Sequence, residues 1–216
     1  MLKKLIWLII FFAVLIWSAI RPHDYFTWFL EVLPALIAIV ILAFTRKTFP
    51  LTPLVYSLIL IHALILMVGG HYTYAEVPLF NDFKDWFGFE RNNYDKLGHF
   101  MQGFAPALIA RELIVRKGII PERFWMSFFI VCFCLAFSAF YELIEWAVAI
   151  STGEAAEAFL GTQGYIWDTQ SDMAYALFGA ILGLLTLSKW HNKQLARFPK
   201  YAINRLFQAR KYLMFL

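Results

Sequence analysis

Apolar residues run in long blocks along this chain, at about residues 5–21, 30–45, 53–70, 97–115, 124–148 and 172–188, separated by short polar stretches. A helix that crosses a bilayer needs about 20 predominantly apolar residues, or about 17 when short. The blocks therefore predict six membrane-spanning helices, the second and sixth borrowing flanking residues to reach full length. The breaks carry helix-ending chemistry: Arg21-Pro22, Arg46-Lys47 followed by Pro50 and Pro53, Gly69-Gly70, and Lys117-Gly118 with Pro121. No internal repeat or low-complexity tract interrupts the pattern. One domain is expected over residues 1–190, followed by a basic tail at 191–216.

Two of the connecting segments have a pattern of their own. Leu79, Phe80, Phe83, Trp86 and Phe87 recur at helical spacing against Asn81, Asp82, Lys84 and Asp85, which predicts an amphipathic helix over residues 79–87 lying in the membrane interface. Ser151-Thr152-Gly153-Glu154 reads as a capping-box start, and Gly161 as a stop, for a second short helix at about 152–160. The first block follows Lys3-Lys4 and so resembles a signal peptide. It is long and Trp-bearing and lacks a small-residue cleavage site, which favours a retained first span.

Composition agrees with the pattern. Hydrophobic residues make up 61% and charged residues 16%, with a mean hydropathy of +0.63, a balance foreign to water-soluble enzymes, disordered chains and nucleic-acid-binding modules. The net charge of +4 acquires meaning only from its placement. If the first span starts inside, 15 of the 19 Lys and Arg residues fall on the inner side, and only Arg21, Lys84, Arg91 and Lys96 fall outside. By the positive-inside rule both termini are then cytoplasmic, and the basic tail serves topology and anionic lipid rather than nucleic acid. Cys132 and Cys134 sit within an apolar run and read as packing residues.

Ionisable residues inside or at the edge of apolar spans are costly and mark function. Here they come in pairs at helical spacing: Asp95 with His99, Glu142 with Glu145, and Asp168 with Asp172. His71 closes the third block. Alternating span direction brings all seven to one level near the outer surface. Carboxylate and imidazole together suit a divalent metal, Zn²⁺, Mn²⁺, Mg²⁺ or Fe, held between helices of a bundle. On that reading Asp95, His99, Glu142, Asp168 and Asp172 are metal ligands, and Glu145 and His71 serve as general base or support. Plainer readings compete. Asp95, Asp168 and Asp172 can cap helices, the two glutamates can form a structural ion pair, and Gln102 or Arg111 can satisfy a buried carboxylate. His62, mid-span, reads as a packing residue. Gly179 and Gly183 allow close helix approach, as do Gly98 and Gly103. No P-loop, GxSxG, HExxH or CxxC pattern occurs.

Three stretches carry a resemblance. Gly69-Gly70-His71-Tyr72-Thr73-Tyr74, the run from Arg91-Asn92-Asn93-Tyr94-Asp95-Lys96 through His99 to Phe104, and Leu160-Gly161-Thr162-Gln163-Gly164 with Trp167-Asp168 and Asp172 resemble the YjdF-like family of bacterial inner-membrane proteins, a domain of unknown function. Tyr165 stands where that family implies an acid, and Ser171 where it implies Trp. The chain is more loosely similar to VanZ-like membrane proteins, linked to glycopeptide resistance, through Asp95, Lys96, His99, Glu142, Asp172 and Gly179, but has Ala176 where their pattern has Asn. The resemblance implies an all-α, six-helix inner-membrane bundle without naming a reaction. From the residues, the expected function is a metal-dependent enzyme acting on a lipid or lipid-linked headgroup at the outer face. A proton-coupled carrier and a non-catalytic membrane or stress component are the alternatives.

Overall fold

The structure, a computed structural model, describes residues 2–152 and 163–198. Among the described residues it is all-helical: α1 (Leu2–Ala19), α2 (Tyr25–Thr45), α3 (Pro53–Tyr72), α4 (Pro78–Phe87), α5 (Tyr94–Lys117), α6 (Arg123–Thr152) and α7 (Asp168–Leu195), with a single 3₁₀ turn at Tyr74–Glu76. Five of these, α1, α2, α3, α6 and α7, are long and apolar enough to cross a membrane. The expected helix at 79–87 is α4, whose Leu79, Trp86 and Phe87 are exposed. The expected helix at 152–160 lies, apart from Thr152 at the end of α6, outside the described residues. Helix α7 continues through 191–195, so the start of the expected tail is helical.

The remaining long helix, α5, is the most polar of the six because it does not face lipid. It packs against α7 over most of its length and also against α3 and α6. With 24 residues it extends about 36 Å, enough to cross a hydrocarbon core of about 30 Å. Other helices supply the apolar outer surface: Leu5, Ile6, Ile9 and Phe12 on α1, Ile37, Val40 and Ile41 on α2, and Phe129, Phe133 and Phe140 on α6 are all exposed.

Local chemistry sets the helix ends. Asp24 caps α2 by accepting from the Thr27 amide at 2.6 Å, and that hydrogen bond lowers the carboxyl's pKa. Thr52 caps α3 with Pro53 in its first turn. Gly118, in the left-handed region, ends α5.

Chain direction follows from contacts between helix ends. The Trp7 indole donates to the Tyr56 carbonyl at 2.8 Å, and the His23 amide to the His71 carbonyl at 2.9 Å. With Tyr94 packed on Tyr74 and His99 within 4.0 Å of both Glu142 and Asp172, the ends of α1, α3 and α6 lie with the beginnings of α2, α5 and α7, at what we term the far end. The near end holds the start of α1 and the end of α7.

Helices α5 and α7 run parallel and almost touch. A Cβ added at Gly103 would lie 1.8 Å from the Ala176 carbonyl oxygen, and one at Gly179 would lie 2.1 Å from that of Phe100. Backbone meets backbone there, as small residues permit in membrane bundles. The seam leaves no room for side chains and separates the polar groups at its two ends. Gly103→Ala should therefore cost about 1–3 kcal/mol through forced separation of the two helices. The check is the thermal unfolding midpoint of detergent-purified protein, which has to fall for this account to stand.

Candidate functional site

Above the seam, the first turns of α5 and α7 and the last turns of α6 bring the expected acids together. Asp95 and His99 share a face of α5, and the His99 Nε2 lies 3.3 Å from Asp95 Oδ1 and 4.0 Å from Asp172 Oδ2 on α7. On its other side the ring presents Nδ1 to Gln102 Oε1 at 3.1 Å and to Glu142 Oε1 of α6 at 3.7 Å. Glu145, one helical turn further along α6, completes the group. Two sets of three lie with their ligand atoms within 4.8 Å of one another: Asp95, His99 and Asp172, and His99, Glu142 and Glu145. Both nitrogens of one imidazole thus face acceptors. A neutral imidazole carries only one N–H, so with Nε2–H given to Asp95 the Nδ1 side is open to the Gln102 amide turned to donate, to a second proton or to a bound cation.

Lysine 96 enters the cluster from the same turn of α5. Its Nζ lies 2.6 Å from Asp168 Oδ1, 2.6 Å from Asp172 Oδ1 and 3.4 Å from Asp95 Oδ2. Arg91 donates to Asp168 and reaches Asp95 at 3.7 Å. Tyr165 covers both cations, its ring 5.5 Å from the guanidinium carbon and 5.7 Å from Nζ. Five carboxylates against two fixed cations leave a formal charge of −3 when all are ionised and His99 is neutral, and none of the five acids is more than 8% exposed. Uncompensated buried charge of this kind costs several kcal/mol per ion. The deficit is uneven. Asp95, Asp168 and Asp172 have cationic partners, whereas Glu142 Oε1 is buried without a hydrogen bond.

The structure gathers six of the seven expected residues. Asp95, His99, Glu142, Glu145, Asp168 and Asp172 meet, and Asp168 is held between Arg91 and Lys96 at the edge. His71 does not join them. The last turn of α3 faces α1, so the His71 Nδ1 donates to the Ser18 carbonyl at 3.1 Å and its ring packs 4.4 Å from that of Trp17. Gln102, named as a partner for a buried carboxylate, instead contacts His99.

A loop clasp fixes the mouth of the site. Buried Asn92 donates from its side-chain amide to the Val77 carbonyl and to Asn81, and accepts from the Tyr94 amide. Gln163 pairs with the Asn92 backbone in both directions, at 2.9 and 3.1 Å, and thereby anchors the segment that carries Tyr165. Beside the cluster, Tyr74 packs into the space left by Gly69 and hydrogen-bonds Glu31 of α2. Burial, and then the Glu31 charge, push the Tyr74 phenol well above its usual pKa. Glu31 is 2% exposed and its Oε2 has no hydrogen bond. A cavity of about 40 Å³ lies between these groups, lined by His62, Tyr74, His99, Gln102 and Tyr141 among others.

The near end carries a second buried network that the spacing of residues did not announce. Glu112 is wholly buried and accepts from the Thr52 amide and hydroxyl, from Arg116, and from His191 Nε2 at 3.0 Å. Arg111 donates to His191 Nδ1 at 3.0 Å and to Asn192. An arginine can only donate, so Nδ1 is the acceptor and Nε2 carries the proton. Every partner is supplied, which makes this a lock tying α3, α5 and α7. Glu112→Ala should cost about 3–5 kcal/mol, as expected when one member of a buried charged network is removed. An unfolding midpoint close to wild type would contradict the lock.

Comparison with known proteins adds a family. A model of the family described as "Predicted membrane protein (DUF2238)" matches residues 3–193. The inner membrane protein YjdF of Escherichia coli K12 is 51% identical over 185 residues, which are 86% of this chain and 88% of the relative. No solved structure matches the chain.

Proposed function

The chain belongs to the DUF2238 family of membrane proteins, and on that premise we propose that its far-end centre binds a divalent cation and acts on a lipid or lipid-linked headgroup. It is a multi-pass protein, of the bacterial inner membrane like its YjdF relative. The excess of Lys and Arg on the inner segments supports an orientation with both termini cytoplasmic and the centre at the outer face.

The observation that carries the proposal is the unpaired Glu142 oxygen, 3.7 Å from His99 Nδ1 and adjacent to Glu145. Two donor atoms bound to one ion at about 2.1 Å each stand about 3.0–4.2 Å apart, so that spacing suits a shared ion. His99, Glu142 and Glu145 would be the ligands. Asp95 would then accept from Nε2–H and fix the ring's tautomer and angle, the usual partnership behind a metal-bound histidine. Asp168 and Asp172, expected as ligands, are assigned to holding Lys96 instead. Bound there, a divalent ion supplies an activated water or a polarised phosphoryl or carbonyl group.

The substrate class rests on the surroundings. Helix α4, the loop that follows it and the segment before α7 expose Trp86, Phe87, Phe89, Ile166 and Trp167 near the mouth, a composition that sits in the headgroup layer. Hydrolysis or transfer of a headgroup is the chemistry that a cation-loaded acidic centre at that level can perform.

A second reading has its own support. The cavity that joins His99 to His62 is large enough for a water molecule, which would extend a carboxylate relay through His99 to His62. The closed α5–α7 seam weighs against a through-path along those two helices.

The cation reading predicts that protein stripped with chelator and returned to Mn²⁺ or Zn²⁺ takes up a single ion and gains stability, by about 2.7 kcal/mol at a hundred times the dissociation constant. Glu142→Gln and Glu145→Gln should each abolish uptake. Elemental analysis and unfolding midpoints decide it. No bound metal and no shift in wild type would leave protons as the compensating charge and favour the relay.

A further inference from the structure

The two three-residue sets meet on one imidazole, His99, and differ in a single respect. On the Nδ1 side, Glu142 has a buried oxygen without a hydrogen bond. On the Nε2 side, the carboxylates that an ion would use, Asp95 and Asp172, are already neutralised through their other oxygens by a charge of the chain's own. The Lys96 ammonium lies 2.6 Å from Asp172 Oδ1 and 3.4 Å from Asp95 Oδ2 and is further held by Asp168 Oδ1 at 2.6 Å. Its side chain is nearly as buried as those of its three partners, and the Tyr165 ring lies 5.7 Å from Nζ.

We propose that the centre is a two-site centre by geometry and a one-site centre by charge, with Lys96 as the resident cation of the Asp95–His99–Asp172 half. The inference rests on cation binding at the His99–Glu142–Glu145 half and specifies how many ions the centre accepts and why.

The physical grounds are direct. A divalent ion bound to Asp95 Oδ1 and Asp172 Oδ2 would stand close to an ammonium that holds the other oxygen of each carboxylate, with little water between them to screen the repulsion. The lysine also keeps Asp172 oriented toward α5, so the half-site is shaped like a metal site and neutralised without one. A compact ammonium with three donors suits this task, since three carboxylates from two helices can each take one N–H. With Nε2–H directed to Asp95, the remaining ring nitrogen is left for the other half-site. Lys96 thus controls both the ion count and the side of His99 that binds.

The test removes the ammonium together with one of its carboxylates and frees Asp172 for an ion. In Lys96→Met/Asp168→Asn a positive and a negative group go together, and Arg91 keeps Asp95 within reach. Wild type, this double variant and Lys96→Arg are titrated with Mn²⁺, followed by elemental analysis after desalting and by the EPR signal of the bound ion. A single ion in wild type and in Lys96→Arg, with two in the double variant, is the expected result. The second ion takes Asp95 and Asp172, binds His99 Nε2 with release of that nitrogen's proton to solvent, and should raise the double variant's unfolding midpoint.

One ion in all three proteins would overturn the proposal and leave single-site binding intact. Two ions in wild type would overturn it as well. No ion in wild type but one in the double variant would uphold the role of Lys96 while refuting metal binding at the glutamates. No ion in any protein would refute both. Should the double variant not fold, Lys96→Gln carrying an intact Asp168 is purified with Mn²⁺ present throughout. Two ions there support the proposal, and one or none overturns it.

Discussion

Charge on a helix inside a bilayer has to be answered by the protein, because the hydrocarbon offers neither water nor counter-ions. Helix α5 carries Asp95, Lys96, His99, Arg111, Glu112 and Arg116, and nearly everything else in the fold answers that load. Enclosure by α3, α6 and α7 lets α5 be polar, and apolar α1, α2 and the outer face of α6 carry the lipid contact. The glycine seam with α7 follows from the same demand. Only a close parallel approach puts Asp172 beside Lys96 at one end and His191 beside Glu112 at the other.

The two ends of α5 answer their charges differently, and that contrast separates scaffold from site. At the near end every donor around Glu112 finds an acceptor, with threonine, arginine and histidine all converging on one carboxylate. Such a network is complete without any other component. At the far end acids outnumber cations, two carboxylate oxygens, of Glu31 and Glu142, are buried without a hydrogen bond, and an imidazole faces oxygens on both sides. A purely structural network gains nothing from such a shortfall, since replacing the surplus acids with apolar residues would relieve it. Retaining them makes sense where protons or a cation come and go.

Periodicity makes much of this legible in the sequence. Long apolar blocks give the spanning helices, and i,i+4 and i,i+3 spacing places Asp95 with His99 and Glu142 with Glu145 on common faces. What spacing cannot supply is which way a helix end turns. His71 lies at the right depth, but the last turn of α3 points at α1 and Trp17. Lys96 and Arg91 look like ordinary outer-loop charges in the sequence, although Arg91 stands four residues before Asp95 and that spacing was a usable signal. Glu31 reads as one more outer acid until the 3₁₀ turn folds Tyr74 back onto Gly69. The lock at Glu112 depends on His191, which composition assigns to a solvated tail. Helix α7 simply runs on past its apolar block, and no local pattern shows that.

The seam also bears on what kind of chemistry the centre can serve. A carrier needs its binding site to open in turn toward both faces, usually by rocking one bundle against another. Here the floor of the site is made of contacts in which a methyl group would already collide with backbone, at Gly103 and Gly179. Sliding or parting α5 and α7 would break those contacts and the near-end lock together, since both helices contribute to each. The mouth is built differently. Tyr165, which covers the two cations, hangs from an exposed segment fixed by the Gln163–Asn92 pairing. A firm floor beneath a cover held by a few hydrogen bonds suits a site that admits and releases its ligand on one side of the membrane.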